Sequence, residues 1–458
     1  MNKPVDIRKH TGDHHRDLNN HLFRYVFFST LHLRREWFLP ILRQLENTQY
    51  MPPEDLLALQ DQKLRALIQH ARANTLYYAE VLPEGVQGLA DLQSLPILDK
   101  ETLRARAKDM TWRTRSGQRP KTSGGSTGAP VTLVKDRKGM AQELAAMWRG
   151  YGWAGVQFGD RQARFWGVPA NSRARFRASL IDFVCNRHRT TAFNYDENLL
   201  RTAYAQVCNF KPNYFYGYVS VMRDLAHFVN QAGYTDVVQP NSIITTSEVL
   251  TSLDRQLLER VFKTRVFDEY GCGEIGTIAH ECEHGRLHIN SENVIIEVLD
   301  SSDRPLPPNN KGELVVTDLT NYSMPLIRYR LKDYGAISNR QCPCGRTLQI
   351  IDQVYGREYD TLINRIGRNF HGEFFLYILE DASANGLATS GVQFLQHPDL
   401  TLEIFLVCEE SAFIPLSEYI KKRLKRDFDQ QVNIDFHRAD QINREPSGKL
   451  RVVKKLVR

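Results

Sequence analysis

The chain has no long uninterrupted hydrophobic run. Its most apolar segment, Leu22 to Leu42, is broken by Arg24, His32, Arg34, Arg35 and Glu36, which excludes a transmembrane span. An amphipathic helix packed on the protein accounts for that segment, and peripheral membrane contact is the alternative. No apolar signal segment precedes a cleavage site at the N-terminus, and cysteine is sparse, with seven in 458 residues. An odd number of thiols in so long a chain argues against a disulfide framework and for a reducing, cytoplasmic setting with free thiols or a metal site. No internal repeat, long low-complexity tract or Walker GxxxxGK[ST] loop occurs. No basic stripe with interleaved aromatics is present either. The formal net charge of +7 suits an anionic small ligand and does not argue for nucleic acid.

What is present is an ordinary globular composition, 42% hydrophobic and 25% charged, in a chain long enough for several domain-sized units. Residues 1–20 are polar and His-rich, and poor order is expected there. A helix is predicted from Pro52-Pro53-Glu54-Asp55, with Leu56, Leu57, Leu64, Leu67 and Ile68 on its apolar face. From Arg137 onward helices and strands alternate (helices at Arg137 to Trp148, Ser220 to Ala232 and Ser252 to Phe262; strands at Ser242 to Thr246 and Arg265 to Tyr270). That pattern predicts an α/β fold with a largely parallel sheet. After residue 290, Val294 to Leu299 and Gly312 to Leu319 read as antiparallel strands between turns. A further break falls near Gly356-Arg357. Residues 357–458 read as a small α+β domain, in which Leu416, Ile420, Leu424 and Phe428 recur every four residues on one helix.

The densest chemical signal is Lys121-Thr122-Ser123-Gly124-Gly125-Ser126-Thr127-Gly128-Ala129-Pro130. Glycines let backbone N–H groups converge on an anion, and the hydroxyls add donors. The loop runs into apolar Val131-Thr132-Leu133-Val134, a strand and not the helix that follows a Walker loop. By itself the loop is equally a flexible linker.

Further along, Asp268-Glu269-Tyr270-Gly271-Cys272-Gly273-Glu274 formally matches G-x-G-x-x-G through Gly276. The dinucleotide reading fails because no apolar helix follows. Glu274 and Tyr270 instead suit a metal–phosphate and base-stacking site. Asp333, in Tyr329-Arg330-Leu331-Lys332-Asp333, suits two ribose hydroxyls; its bland alternative is a surface ion pair with Arg328 or Arg330. Lys449, in Pro446-Ser447-Gly448-Lys449, is an exposed turn cation able to bridge a carboxylate and a phosphate oxygen. Two loops, 280–288 and 342–345, carry the ligand pattern of a structural zinc: Cys282, Cys342 and Cys344 with a histidine, which the pattern leaves open among His288, His280 and His284. Cys185, Cys208 and Cys408 read as core, and Cys272 has no paired histidine to make it a nucleophile.

These segments occur in one order, and that order resembles the AMP-forming acyl-adenylate synthetases, in particular the phenylacetate–CoA ligase branch that includes CapK-type capsular polysaccharide proteins. The resemblance runs from about Gln49-Tyr50 to Lys449. Ser123 to Pro130 is similar to the family's Ser-Ser-Gly-Thr-Thr-Gly phosphate loop, with Gly124 and Ser126 as departures. Ser247-Glu248 and Tyr270 to Glu274 resemble the adenine-side and Tyr-Gly-x-x-Glu segments. Tyr329 to Asp333 resembles Tyr-Arg-Thr-x-Asp. Gly356 to Asp360 resembles the hinge, with Tyr359 where Asp is usual, and Ser447 to Lys449 the Ser-Gly-Lys turn. Asn364 to Phe370 departs from the stretch preceding the thiol tunnel.

The resemblance implies a large multi-subdomain adenylation domain, residues 1–356, and a C-terminal lid, residues 357–458. It implies ATP, Mg²⁺, zinc and CoA as cofactors. Ser123, Gly124, Gly125, Ser126, Thr127 and Gly128 would hold phosphates, with Thr127, Glu274 and Lys449 catalytic and Glu274 on magnesium. Ser247, Glu248, Tyr270, Gly271, Asp333 and Arg357 would hold the nucleoside. The partners implied are a small carboxylic acid, then CoA or an amine acceptor, and a second copy of the chain as a homodimer. A non-catalytic nucleotide-binding protein is the reading from another class.

Overall fold

A computed structural model describes residues 18–33, 37–113, 117–122, 132–166, 172–191, 197–357, 362–367, 369–370, 372–387, 389–443 and 451–456. The N-terminal helices are α1 (Leu18–Leu33), α2 (Phe38–Thr48), α3 (Pro53–Asn74), α4 (Leu76–Val81) and α5 (Lys100–Met110). The segment expected as one helix over Leu22 to Leu42 is therefore two, α1 and α2, with Trp37 in a non-helical conformation just before α2. Helix α3 starts at the expected proline, whose missing N–H costs nothing in a first turn, with Glu54 and Asp55 beside its positive end.

A hairpin follows, β1 (Arg119–Thr122) and β2 (Thr132–Lys135), then α6 (Arg137–Trp153). The alternating region is β3 (Gln162–Trp166), α7 (Ser172–Val184), β4 (Arg187–Thr191), α8 (Glu197–Phe210), β5 (Tyr214–Tyr218), α9 (Val219–Gln231), β6 (Ser242–Thr246), α10 (Ser252–Phe262) and β7 (Val266–Cys272). The antiparallel region is β8 (Gly276–Glu281), β9 (Leu287–Ile289), β10 (Val294–Leu299), β11 (Gly312–Asp318), β12 (Leu326–Ser338) and β13 (Ile350–Arg357). All of β3 to β13 form one 11-stranded sheet, ordered β10-β11-β12-β13-β9-β8-β7-β6-β5-β3-β4.

Strands β4, β3, β5, β6 and β7 are parallel, and pairing turns antiparallel at β7–β8. The central parallel strands β5 and β6 are buried on both faces, as helix-covered sheets require, whereas Arg187, His188 and Arg189 of the edge strand β4 are only partly buried. Phe165, Phe215 and Ile243 face α8, α9 and α10, whereas Tyr214, Tyr216 and Phe267 face Tyr151 of α6. A second core joins α3, α4 and α5 to the antiparallel half.

The C-terminal unit is a separate small α+β domain: β14 (Leu362–Ile363), β15 (Asn369–Phe370), α11 (Gly372–Ala384), β16 (Gly391–Gln396), β17 (Leu402–Val407), α12 (Glu410–Asp427), β18 (Ile434–Arg438) and β19 (Val453–Lys455). Its sheet runs β18-β17-β16-β19. Leu416, Ile420 and Leu424 are fully buried against it and Phe428 nearly so, as their spacing predicts.

Candidate functional site

The strands on either side of the Gly/Ser/Thr segment pair as an antiparallel hairpin, with Thr122 opposite Thr132. Ser123, Gly124, Gly125, Ser126, Thr127 and Gly128 lie outside the described residues. The hairpin's base is held by charge. Glu143 on α6 binds Lys121 Nζ at 2.6 Å and Lys135 Nζ at 3.0 Å. Lys135, almost completely buried, also donates to the carbonyl of Ile275 at 2.6 Å and lies 3.4 Å from Asp318. Burial opposes ionisation of Glu143, but the two lysines outweigh it and hold the carboxyl at about 2. Gly276 completes the joint: its φ is +103°, and a Cβ there would stand 2.4 Å from the Glu143 carboxyl carbon.

Ile275 follows Glu274, so the hairpin is fixed to the turn that presents this acid. Strands β7 and β8 form a hairpin and not a strand–helix unit, in keeping with rejection of the dinucleotide fingerprint. Glu274 is buried, with its carboxylate 3.2 Å from Lys100 Nζ. Lys100 opens α5, whose start is set by Asp99 accepting from the Thr102 N–H at 2.6 Å. Leu98 anchors this segment to β12 through reciprocal backbone bonds with Arg328 and Arg330, each 2.9 Å. Sequence reasoning did not single out Lys100; its only signal was a cation opening a capped helix.

Tyr270 donates its hydroxyl to Asp333 at 2.8 Å, both side chains being buried. The alternative of a surface ion pair for Asp333 does not hold: Arg328 grips Glu297, and Arg330 grips Asp303 and Glu313. Arg357 is the backbone partner of Asp333 across β12–β13; its side chain lies outside the described residues. Gly271 is obligatory at its position, since a Cβ would lie 2.4 Å from the Gly276 carbonyl oxygen.

Ser247 leaves β6 with φ +69°, an uncommon backbone state for a non-glycine residue that turns the chain sharply at the sheet edge. Glu248 next to it accepts from the Ser220 N–H at 2.7 Å and hydroxyl at 2.9 Å, at the N-terminal turn of α9. Ser247, Tyr270 and Glu274 thus come from the carboxyl ends of adjacent strands at the point where pairing changes direction, the usual place for a ligand on an open α/β sheet. Lys449 lies outside the described residues. Cys272 is no nucleophile, because burial pushes its thiol up to about 12.

Beside this edge, Trp166 stacks on Tyr216 at 5.8 Å and meets Tyr218 at 4.4 Å, and the Arg164 guanidinium lies 4.7 Å from both Trp166 and Tyr216. Of the aromatic run Tyr214 to Tyr218, Phe215 points away into the α9–α10 core. Glu269 below them is raised to about 7 by burial, and Thr277 donates to it at 2.7 Å.

The metal-ligand pattern closes into one cluster. The Sγ atoms of Cys282, Cys342 and Cys344 and a ring nitrogen of His288 all lie within 4.8 Å of one another. Cys282 and Cys342 Sγ are 3.6 Å apart, and Cys344 Sγ is 3.3 Å from His288 Nε2. Tetrahedral zinc with sulfur at about 2.3 Å and nitrogen at about 2.0 Å spaces its ligands roughly 3.3–3.8 Å apart, so the donor set fits. His288 Nδ1 meets the Leu348 carbonyl at 3.2 Å, leaving Nε2 toward the cluster. His280 is buried against Tyr151 and Trp153, and neither it nor His284 belongs to the cluster. Cys185, Cys208 and Cys408 are only half-buried, at the margins of their cores.

No protein-family model matches the chain. It is 24% identical over 416 residues to protein CapK of Staphylococcus aureus, a match covering 87% of this chain and 88% of that protein. It is 24% identical over 330 residues to phenylacetate-coenzyme A ligase of Thermus thermophilus, covering 69% and 73%. Among solved structures, 2-hydroxyisobutyryl-CoA ligase in the postadenylation state with R3-HIB-AMP superimposes with TM-score 0.72 at 18% identity, over 89% of this chain and 91% of that one. This is the fold of the adenylate-forming ligases. The chain is a homologue of phenylacetate–CoA ligases and of CapK. The likeness falls to a TM-score of 0.57 for the same ligase in its thioesterification state, over the same 89% of this chain. Among the described residues, no helix of this ligase fold is long and apolar enough to cross a membrane.

Proposed function

We propose that the protein is an AMP-forming acid–thiol ligase. A small carboxylic acid attacks the α-phosphorus of ATP, the bond to the bridging oxygen breaks, and pyrophosphate leaves, giving an acyl-adenylate. The sulfur of CoA then attacks the acyl carbon, and AMP departs with the bonding electron pair. The observation that carries this reading is a pair of buried carboxylates at the end of β7, Asp333 bonded to Tyr270 and Glu274 in the turn that follows, with the base of the Gly/Ser/Thr hairpin fixed to that turn.

In this reading Ser123 to Gly128 cradle the β- and γ-phosphates, with the Thr127 hydroxyl as a donor. Asp333 accepts from the ribose hydroxyls with Arg357 beside it, while Tyr270, Gly271, Ser247 and Glu248 border the base. Tyr270 has a second task, because its hydroxyl orients Asp333. Glu274 would hold Mg²⁺, which when bound neutralises phosphate charge. Lys100 pairs with Glu274 and would be a further cation for the phosphates. Lys449 balances the charge that shifts onto the departing pyrophosphate and the acyl-phosphate. The CoA-ligase homologues support CoA as the acceptor, and the difference in likeness to two states of one ligase supports a lid that changes position between half-reactions.

Pyrophosphate–ATP exchange across a panel of carboxylic acids tests the reading. Acid-dependent exchange is expected; ATP binding with no exchange for any acid would overturn it. Product analysis with CoA and with amine acceptors then identifies the acceptor.

Asp333→Ala is expected to weaken ATP binding about ten- to a hundredfold in titration calorimetry, because a carboxylate accepting hydroxyl bonds is worth about 1.5–3 kcal/mol. Tyr270→Phe, which removes only the hydroxyl that orients Asp333, is expected to lose less.

Cys282, His288, Cys342 and Cys344 would hold a structural zinc, tying the β8–β9 turn to the loop before β13. Stoichiometric zinc is expected in the purified protein by elemental analysis. Cys344→Ala is expected to release it and lower the melting temperature by several degrees. A metal-free wild type with an unshifted melting temperature would exclude zinc.

A further inference from the structure

Helices α1 and α7 lie side by side at the surface, with the rings of Phe23 and Phe183 5.5 Å apart. Helix α1 buries Phe27 and Leu31 against α2 and α6. Its opposite side carries Leu22, Tyr25 and Leu33, which are 59%, 73% and 82% exposed. Those positions, i, i+3 and i+11, fall on one stripe. Helix α7 does the same with Phe176, Leu180 and Phe183 at i, i+4 and i+7, exposed by 73%, 57% and 63%. Soluble proteins scatter such residues singly; here they gather on two touching helices.

The exposed charge on these two helices has one sign. Helix α1 contains no Asp or Glu. The single acid of α7, Asp182, is buried and held by both arms of Arg189 at 2.8 and 2.9 Å. Arg24, Arg175 and Arg177 are exposed beside the apolar stripes. A second copy docked here by a twofold axis would bring these cations toward their own mates, with no exposed carboxylate on either helix to receive them. A surface that is apolar below and anionic above accepts both parts.

We propose that α1 and α7 form a docking surface for an anionic lipid bilayer. The aromatic and aliphatic tips enter the headgroup–acyl boundary and the arginines meet lipid phosphates, with the helices lying in the plane of the interface.

Sedimentation of the full chain with phosphatidylcholine vesicles, and with vesicles also containing phosphatidylglycerol, tests this. The protein is expected to pellet with the anionic vesicles only, and less as salt rises. Phe176→Ser/Leu180→Ser and Arg175→Glu/Arg177→Glu are each expected to lower the bound fraction about tenfold or more, with the wild-type melting temperature retained. Wild-type protein that stays in the supernatant with both vesicles overturns the proposal. So does binding that neither variant weakens, or a solution dimer that Phe176→Ser/Leu180→Ser converts to monomer.

Discussion

Lys449→Ala is expected to lower acid-dependent pyrophosphate–ATP exchange by roughly a hundred- to a thousandfold, with ATP affinity largely unchanged. The reason is where the charge moves. In the proposed ground state the triphosphate would be held by Ser123 to Gly128, by Glu274 and by Lys100, none of which the substitution changes. In the transition state negative charge passes from the attacking carboxylate to the bridging oxygen, and a cation placed between them is worth most at that moment. Loss of one such preorganised donor typically costs that factor. Lys449→Arg keeps the charge but not the compact ammonium, and recovers only part of the rate. Thioester formation from a preformed acyl-adenylate should survive Lys449→Ala, because in the proposed mechanism the lid carries Lys449 away before the second half-reaction. Exchange at the wild-type rate in Lys449→Ala would remove this residue from the mechanism.

The second large effect concerns a buried ion pair. Arg149 on α6 and Glu292 are each almost completely buried and bind through two contacts, 2.6 and 3.0 Å. Arg149 also donates to the Leu45 carbonyl and the Asn290 side chain, each at 2.9 Å, and Thr48 donates to Glu292 at 2.8 Å. One ion pair therefore joins α2, α6 and the turn before β10. Arg149→Met leaves a carboxylate buried without its partner, which costs about 3–5 kcal/mol. The double variant Arg149→Met/Glu292→Leu is expected to recover much of that loss, because neither charge of the pair is left buried alone.

The pair also gives a pH dependence. Burial opposes ionisation of Glu292, and the charge and hydrogen bonds of Arg149, with the bond from Thr48, outweigh it, so its carboxyl lies below the usual range. A depressed carboxyl contributes stability above its unfolded value of about 4.3 and loses it as pH falls through the lower folded value. The wild type should therefore lose stability on acidification more steeply than the double variant, measured by denaturant unfolding at several pH values.

Much of this was readable in the chain. Local rules decided α3, whose proline and acids mark its start, and α12, whose four-residue spacing faces one sheet. They also separated the antiparallel strands β10 and β11 from the helix-alternating region. The motifs, in order, carried the adenylate-forming resemblance because phosphate, ribose and metal each demand particular side chains at close range. The same rules could not show that α1 and α2 are separate, since an apolar run with charges in it fits one helix or two.

Nor could they find Lys100, choose His288 over His280 and His284, or decide whether Asp333 meets Tyr270 or an arginine. Each of those depends on which distant segments share a sheet edge. By itself the sequence determined the fold class and the identity of the chemical groups, because periodicity and small-residue loops are local properties. Only the tertiary structure decided which groups meet, because the Lys121–Glu143–Lys135 joint, the Tyr270–Asp333 bond and the Cys282–Cys342–Cys344–His288 cluster all bring together residues from separate elements once the sheet has assembled.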